Sequence, residues 1–592
     1  MRRPVRFVIP LALFSVALFS QNLSSNAISS SKTPAAHKES VYTADQSEYA
    51  GRYTDGSDFV VYFKETKYGL SLRPALWTAT QLLRESGRDE FVVVDRQERG
   101  AAFHRDQEGR VVAVTIRGME GEGPQLRRAG PQLLPVEILL SGKGREAANL
   151  YLSRGITDVS KLTDLASRVL SRFPSKAGAV ANFLTTVSRR FLDSAAVHSL
   201  LGYAQVQAGD RRSGLASLLQ AYRIDPTNKE TISALARLQA LPASVSKQAE
   251  GWQLPFPIKA VFQKPTPAEI RAVEADWRAR DLSPRDVREV TKKEVMLSGS
   301  QSIVRIVSHR VHGQKHYGAI IIPPNARRGC CPIVIEAKGV SPSYFPLELN
   351  RLHTLGFIGD LRQQFIYVVP SYRGEILKFD GVDYQSEGDR TDAWDGATDD
   401  AIALLNVALQ TTAEADSKRI CAFGQSRGGT IALLLGIRDR RVGCVVDSAG
   451  PTDWFELMGT EGWSQEEIFA EGLRTRAGVE ETGGQLIEHF LMKALRGEES
   501  LQAVRHRMLA GSPLYFADRL PRTLLHYGNE DPFVPVRNGL QLVAQMKRQR
   551  VPAKRYQAFF YPGEGHDTDR LVAPVLSRQF IGRMLLRKIA SS

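Results

Sequence analysis

A serine between two glycines, in the decapeptide CAFGQSRGGT (421–430), is the first group in the chain whose surroundings suggest chemistry. Gly424, Ser426 and Gly428 occupy the fixed positions of G-x-S-x-G, a sharp strand-to-helix turn that exposes a serine hydroxyl. The glycines let the strand and the helix approach without side-chain collision. Because three fixed positions also recur by chance in a long chain, the elements around Ser426 must decide whether it is a nucleophile.

A serine hydroxyl is a weak nucleophile unless a histidine accepts its proton and a carboxylate orients that histidine. After a turn of this type the acid and then the histidine follow in the chain, each on a loop after a strand. His566 fits because it ends YQAFFYPGEGH, a predicted strand followed by a glycine-containing loop. Asp531 lies just beyond the preceding predicted strand, in TLLHYGNEDPFVP, and the neighbouring Glu530 is the alternative acid.

The other histidines after the serine have settings that suit structural roles. His489 and His506 lie in a predicted helical insert. His526 lies inside the strand RTLLHYG, where we expect a packed or hydrogen-bonded core residue. The sequence therefore predicts a catalytic triad, whose members are Ser426, Asp531 and His566.

Strands and helices alternate around these residues. PIVIEAKGV, QFIYVVPSYRG and RICAFG are short apolar runs typical of buried strands, whereas DDAIALLNVALQ and GGTIALLLGIRD have helical periodicity. QSIVRIVSHRVHGQKHYGAIIIPP predicts an antiparallel pair before them. The alternation predicts an α/β domain over residues 285–592, with a doubly wound, mostly parallel sheet and active groups at the carboxyl ends of its strands.

The motifs of this domain, taken together, resemble the catalytic domain of the prolyl oligopeptidase family. They are GQSRGG, PSYRGE, GPTDW, Ser512-Pro513, LLHYGNEDPFVPVRNGLQL and YPGEGH. The resemblance implies an α/β-hydrolase fold and a serine hydrolase that works through an acyl-enzyme without a metal or cofactor. A peptidase is the family default, and a carboxylesterase acting on small esters is the close alternative. A protein of another class, a tetratricopeptide scaffold with an inactive hydrolase domain, is the third interpretation.

The sequence departs from the family after its predicted third strand. The family usually has a tyrosine there, or a His-Gly pair in related esterases, whereas this chain has EAKGV with Ala337 in the position of the tyrosine. We therefore predict that the backbone N–H groups of Arg427 and Val340 hold the oxyanion. Because the loss of one donor costs about 3 kcal/mol of transition-state stabilisation, this departure favours ester over peptide hydrolysis.

The second departure lies upstream, where no period of propeller blades appears between 28 and 284. Short alternating runs separated by DGS, ERG and QEG predict a small antiparallel β module at 45–120. LLGYAQVQAGDRRSGLASLLQAYRIDPTN resembles one tetratricopeptide repeat within a helical segment at 135–241. These repeats either bind a partner protein or only pack against neighbouring elements.

A proline-rich linker, 242–284, separates the helical segment from the α/β domain. Within it, Thr266 and Glu269 form a predicted capping box at the start of a helix. Selection of substrates by size would depend on the upstream modules or on the insert 451–511. Four aromatic side chains of the insert either line a lid or form the core of a helical cap. They are Trp454, Phe455, Trp463 and Phe469.

The first residues predict export of the protein. A basic MRRPVR precedes thirteen apolar residues and the small-residue sequence Ser25-Asn26-Ala27, which together are typical of a signal peptide over 1–27. We expect a secreted or periplasmic protein that begins near Ile28, and a retained membrane anchor is the alternative. The N-terminal sequence of the mature protein distinguishes the two.

Charge and cysteine content exclude few functions. The net charge is +14, but the basic residues are scattered, so we interpret them as solvated surfaces rather than a nucleic-acid site. Four cysteines are too few for a disulfide framework and lack metal-ligand spacing. Buried thiols are the simplest interpretation, with a Cys330–Cys331 bridge or a Cys421–Cys444 link across neighbouring strands as alternatives.

Overall fold

The structure is a computed structural model of the whole chain. The predicted signal peptide, 1–27, lies outside the residues that it describes. In the described residues no helix is both long and apolar enough to span a bilayer. The description covers 46–586 except 57–58, 67–68, 77–79, 94–95, 118–124, 157, 239, 241–253, 298–299, 340–346, 350–351, 353–356, 457–486, 532 and 567–572.

The first unit is a closed antiparallel barrel of eight strands. Its strands are Gly51–Thr54 (β1), Val60–Thr66 (β2), Gly69–Pro74 (β3), Gln81–Gly87 (β4), Glu90–Val93 (β5), Arg96–Arg105 (β6), Val111–Arg117 (β7) and Gln125–Arg128 (β8). Aromatic rings that include Phe63, Phe91 and Phe103 fill the interior. The barrel extends past the predicted boundary at 120, because β8 has one buried apolar residue, Leu126, and so shows no alternation in the sequence.

A helical unit follows, within the predicted range 135–241. Its helices are Pro135–Leu140 (α1), Gly144–Ser153 (α2), Val159–Arg172 (α3), Ala177–Ser188 (α4), Ala195–Gln207 (α5), Arg211–Ile224 (α6) and Lys229–Arg237 (α7). A Cβ atom on Gly202 would lie 2.8 Å from the carbonyl oxygen of Gly214. These two glycines therefore let α5 and α6 pack with their backbones close together.

The helical unit packs against the barrel. Val60 and Ala75 of the barrel belong to the same buried apolar core as α1 to α5. The Tyr62 hydroxyl donates to Glu137 Oε1 at 2.7 Å, and Arg52 pairs with the same oxygen at 3.4 Å. These contacts give the first helices a packing role.

The described part of the predicted linker includes two helices, Ile258–Val261 (α8) and Pro267–Ala279 (α9). The predicted capping box is present, since Glu269 Oε2 accepts from the Thr266 N–H at 2.8 Å and Thr266 Oγ1 accepts from the Glu269 N–H at 3.2 Å. Val273 and Trp277 of α9 are buried in the core of the α/β domain. The segment is therefore part of that domain rather than a free linker, because α9 has an apolar face that the domain covers.

The α/β domain is built on a nine-stranded sheet, and the predicted fold class is confirmed. Its strands are Arg285–Leu297 (β9), Ser300–Val311 (β10), Gln314–Ile322 (β11), Cys331–Ala337 (β12), Ile366–Ser371 (β14), Ala415–Gln425 (β17), Val442–Ser448 (β18), Arg522–Gly528 (β19) and Tyr556–Tyr561 (β20). The order across the sheet is β20-β19-β18-β17-β12-β14-β11-β10-β9. Strands β9, β10, β11 and β14 pair antiparallel, and all other neighbours are parallel.

Smaller elements and helices cover the sheet. Leu347–Glu348 (β13), Ile376–Phe379 (β15) and Val382–Gln385 (β16) form a separate three-stranded sheet. Among the described residues the helices are Asp395–Thr411 (α10), Arg427–Arg438 (α11), Met492–Leu495 (α12), Leu501–Ala510 (α13), Arg537–Arg548 (α14) and Ala573–Leu585 (α15). Two buried apolar cores lie on the sheet's opposite faces, because alternate side chains of each strand point to different faces.

The cysteines differ from the expected set of buried thiols. Cys421 and Cys444 lie opposite each other on the parallel strands β17 and β18 and are joined by a disulfide. Cys330 and Cys331 are free thiols. Spacing in the sequence could not decide between these alternatives, because the pairing depends on the register of two strands that a helix separates.

Two neighbouring strands of the sheet contribute buried histidines, His309 on β10 and His316 on β11. Their ring centroids are 6.0 Å apart. Burial and the neighbouring ring lower the pKa of His309 to about 4. Burial also lowers the pKa of His316, although the nearby Asp400 opposes the shift.

We expect these histidines to make the domain sensitive to acid. Their pKa values are lower in the folded than in the unfolded state, where histidine titrates near 6.5, so the unfolded state binds more protons below that pH. From His309 alone, the free energy of unfolding should fall by about 2 kcal/mol between pH 7 and pH 5. Urea denaturation at both pH values measures the decrease, which should be smaller in His309→Gln and unchanged in His104→Gln, a variant of an exposed barrel residue. An equal decrease in His309→Gln would contradict the prediction.

Candidate active site

Ser426 forms the turn between strand β17 and helix α11. Its backbone has φ 58° and ψ −127°, a left-handed conformation that is strained for a residue with a side chain. The Ser426 N–H donates to the carbonyl oxygen of Ser448 on β18 at 2.8 Å. A Cβ on Gly424 would collide with the backbone of Gly428, and one on Gly428 with the carbonyl of Ala337. Both motif glycines are therefore required by close backbone approach.

His566 and Asp531 meet at the carboxyl ends of strands β20 and β19. The distance from His566 Nδ1 to Asp531 Oδ2 is 2.7 Å, and the Asp531 side chain is completely buried. Asp531 Oδ1 accepts from the N–H groups of Phe533 and Val534 at 2.8 and 2.9 Å. With its Nδ1 proton donated to the carboxylate, the imidazole presents Nε2 as a proton acceptor.

A side-chain hydrogen bond from the serine turn holds the histidine loop next to that turn. The side chain of Gln425, which precedes Ser426, donates through Nε2 to the His566 carbonyl oxygen at 3.1 Å. The alternative acid, Glu530, is exposed, and its N–H donates to the carbonyl oxygen of Glu564 at 2.9 Å. Asp531, and not Glu530, therefore faces the imidazole. Gln425 was not identified from the sequence, because a glutamine inside the motif has no spacing signal of its own.

The remaining histidines after Ser426 have structural partners. His526 is fully buried and lies 2.7 Å from the Tyr561 hydroxyl and 3.1 Å from Ser577 Oγ. His489 Nδ1 contacts the Thr391 carbonyl oxygen at 3.0 Å, and His506 Nε2 contacts Asp276 at 3.1 Å. These positions agree with the structural roles expected from the sequence.

The predicted oxyanion donors are only partly described. Arg427 is the first residue of α11, where backbone N–H groups have no acceptor within the helix. Val340 lies outside the described residues. Ala337 is buried as the last residue of β12, and the loop after it approaches the serine, since a Cβ on Gly339 would lie 3.7 Å from Ser426 Cβ.

A buried carboxyl group, which the sequence analysis did not identify, packs against the backbone that follows Ser426. Asp447 on β18 is completely buried and accepts from the Gly450 N–H at 2.9 Å and the Tyr527 hydroxyl at 2.7 Å. Burial raises the pKa of Asp447 to about 7. A Cβ on Gly429 would collide with this carboxyl group, so the second glycine of RGG makes room for it.

Two of the four aromatic residues of the insert belong to the core. Trp454 and Phe455 are buried in the apolar core of the α/β domain. This position favours a cap core over a lid for these two side chains. Trp463 and Phe469 lie outside the described residues.

The nine-stranded sheet, the strained serine turn and the histidine–carboxylate pair define an α/β-hydrolase of the serine hydrolase class. Residues 361–579 match the model of the prolyl oligopeptidase family. The match confirms the resemblance seen in the motifs and the expectation of a serine hydrolase. A comparison with curated proteins finds no match.

Solved structures with similarity to the chain include an esterase and two peptidases. Acetyl xylan esterase 1 from Thermoanaerobacterium sp. JW/SL YS485 is 16% identical, with 56% of this chain and 99% of that chain covered and a TM-score of 0.37. A puromycin-hydrolyzing peptidase from Mycobacterium tuberculosis is 19% identical, with 49% and 44% covered and a TM-score of 0.34. The acylaminoacyl peptidase from Pyrococcus horikoshii is 16% identical, with 49% and 43% covered and a TM-score of 0.35. The chain thus spans less than half of each peptidase.

Proposed function

We propose that the protein hydrolyses small esters and short peptides through a triad of Ser426, His566 and Asp531. The observation that carries the proposal is the 2.7 Å contact between His566 Nδ1 and the fully buried Asp531, on a loop bound to the residue that precedes the strained serine. The match of residues 361–579 to a family of serine peptidases supports the same chemistry.

The geometry suits a two-step reaction. His566 Nε2 takes the Ser426 hydroxyl proton while Oγ attacks the substrate carbonyl carbon, which gives a tetrahedral oxyanion. The imidazolium then transfers the proton to the leaving oxygen or nitrogen, the bond to that atom breaks, and the acyl group stays on Oγ. A water molecule, deprotonated by the same imidazole, releases the acid and restores the serine. Asp531 remains ionised and stabilises the imidazolium.

We expect esters to be better substrates than peptides. An amide has a poorer leaving group than an ester and needs a fuller oxyanion hole, whereas Ala337 provides no hydroxyl where the family has a tyrosine. The buried Tyr372 hydroxyl oxygen accepts the Lys338 N–H at 3.2 Å, so this tyrosine contacts the loop that follows Ala337. The kcat/KM of an activated short-chain ester should therefore exceed that of the matched peptide anilide, and folded proteins should be spared.

The two specificity constants, measured on one preparation titrated with a fluorophosphonate, test this expectation. The Ser426→Ala protein is the control for hydrolysis by contaminants. A clear preference for the anilide would identify the protein as a peptidase with an oxyanion donor beyond the two predicted here.

We further propose that the protein works outside the cytoplasm. The Cys421–Cys444 disulfide supports this location, because disulfides persist in oxidising compartments and are rare in the cytosol. The basic and apolar segments at the start of the chain support it independently. An N-terminal sequence that starts at Met1 in protein from the native host would contradict cleavage near Ile28.

A further inference from the structure

Arg427, which follows the nucleophile, directs its charge into the protein. Its side chain is only 3% exposed. The guanidinium pairs with Glu375 Oε1 at 2.6 Å, donates to the Gly339 carbonyl oxygen at 3.0 Å and lies 4.9 Å from the centre of the Tyr372 ring. Burying a charged group costs free energy that only well-placed partners offset. Arg427 is thus fixed by partners on two other segments of the chain.

These partners also contact each other through the loop after β12. The Lys338 N–H donates to the Tyr372 hydroxyl at 3.2 Å, and Lys338 Nζ lies 3.8 Å from Glu375 Oε2. Both described residues of the loop, Lys338 and Gly339, are therefore held by the same three side chains. We call Arg427, Glu375 and Tyr372 the Arg427 brace.

The charges of the brace are stable near neutral pH. Burial raises the pKa of Glu375, but the charges of Arg427 and Lys338 outweigh burial, so the pKa lies below its ordinary value. Glu375 is therefore ionised when it pairs with Arg427. Burial lowers the pKa of Lys338 to about 8, so this second cation weakens in mildly alkaline solution while the arginine stays charged.

The loop held by the Arg427 brace packs closely against the turn that carries Ser426. A Cβ on Gly339 would lie 3.2 Å from the Gln425 carbonyl oxygen and 3.7 Å from Ser426 Cβ. A displacement of this loop would therefore change the wall of the site beside the Ser426 side chain. Since fixed donors stabilise a transition state only when they are already in place, the rigidity of this wall affects the rate.

We propose that the Arg427 brace is a positioning device that fixes Lys338 and Gly339 over Ser426. In this way loop backbone stabilises the tetrahedral oxyanion in place of the side-chain hydroxyl that Ala337 lacks. The inference rests on the proposed serine hydrolase mechanism and adds positioning roles for Arg427, Glu375 and Tyr372. None of these side chains is assigned contact with the substrate.

The test compares Arg427→Lys with Arg438→Lys at the other end of helix α11. Arg438 is a matched control because its side chain is 2% exposed and pairs with two buried carboxylates, Asp395 and Asp399. A lysine ammonium lacks the planar fork of the guanidinium, which binds Glu375 through Nη1 and the Gly339 carbonyl through Nη2. We expect Arg427→Lys to lower the kcat for an ester by about a hundredfold, comparable to the loss of one oxyanion donor, with KM changed less than threefold. Arg438→Lys should keep kcat per titrated site within about twofold.

A transition-state analogue gives a readout that a loss of stability alone would not change. A trifluoromethyl ketone adds to the serine as a tetrahedral adduct, so its Ki should rise in Arg427→Lys by the same factor by which kcat/KM falls. Glu375→Gln keeps the side-chain shape and should lower kcat about tenfold. This second variant carries the test if Arg427→Lys does not fold.

The outcomes separate this inference from the proposed function. If the wild-type protein hydrolyses esters and Arg427→Lys has an unchanged kcat per labelled site, the positioning role of the Arg427 brace is wrong. The proposed function would still hold. An unchanged Ki beside a lowered kcat would also overturn that positioning role. A wild-type protein without hydrolysis and without fluorophosphonate labelling of Ser426 would instead remove the proposed function on which the inference rests.

Discussion

Replacing Ser426 by alanine is expected to lower kcat for every substrate by about a million-fold and to abolish labelling by a fluorophosphonate. The reason is that in the proposed mechanism the acyl-enzyme forms on Oγ, and no other hydroxyl is assigned a place beside His566. The fold should persist, because the Ser426 N–H still donates to Ser448 in the variant. Active-site labelling followed by mass spectrometry, together with ester hydrolysis, measures both effects.

Ser417→Ala is the matched control, since Ser417 is an exposed residue of strand β17, near the end of that strand farther from Ser426. It should label and turn over like the wild type. Equal labelling of the Ser426→Ala protein would assign the nucleophile elsewhere and remove the triad from consideration.

Asp531→Asn should lower ester and peptide hydrolysis together, by a factor of about ten thousand. An asparagine can still accept the N–H groups of Phe533 and Val534, so the loop keeps its shape. Its amide, however, donates toward His566 Nδ1 and holds the imidazole in the wrong tautomer, with Nε2 protonated. Steady-state kinetics with the ester and the anilide determine whether both rates fall by the same factor.

The control for this variant is Glu530→Gln, one residue earlier in the same loop. Glu530 is exposed and its backbone, not its side chain, contacts the histidine loop through Glu564. We expect less than about a twofold change. The reverse pattern, with a large loss in Glu530→Gln and a small one in Asp531→Asn, would transfer the role of the acid to Glu530.

The unit upstream of the catalytic domain combines two kinds of structure. The described residues before α8 form a closed barrel and a helical unit that share an apolar core. Since the barrel has no exposed sheet edge, its strands do not offer a surface for strand addition. Helices α1 to α5 pack against the barrel through this core.

Much of the site could be predicted from local sequence because its chemistry requires particular residues at particular distances along the chain. The glycines around Ser426 are dictated by the turn itself, and the positions of Asp531 and His566 follow from apolar strands that end just before them. The same reasoning identified the capping box that begins α9, since a cap involves only four consecutive residues. Each of these signals is local.

Two features were not predicted because they depend on distant parts of the chain. These are strand β8 and the packing of α9 against the α/β domain. A four-residue strand with one buried apolar side chain has no periodicity, and only closure of the barrel against β1 and β7 makes it a strand. Helix α9 was predicted, but its burial against the α/β domain depends on partners more than a hundred residues away, such as Asp395, which accepts from the Trp277 indole N–H at 2.8 Å.

The sequence by itself determined the class of fold, the type of chemistry and the candidate nucleophile, acid and base. Only the tertiary structure decided that Cys421 pairs with Cys444, that Asp447 lies beneath the serine turn, and that Arg427 turns inward to Glu375 and the loop over Ser426. The physical reason is that turns, caps and amphipathic periods depend on neighbours in the chain. Disulfides, buried carboxyl groups and ion pairs depend on strand register and packing between distant segments, which no local pattern encodes.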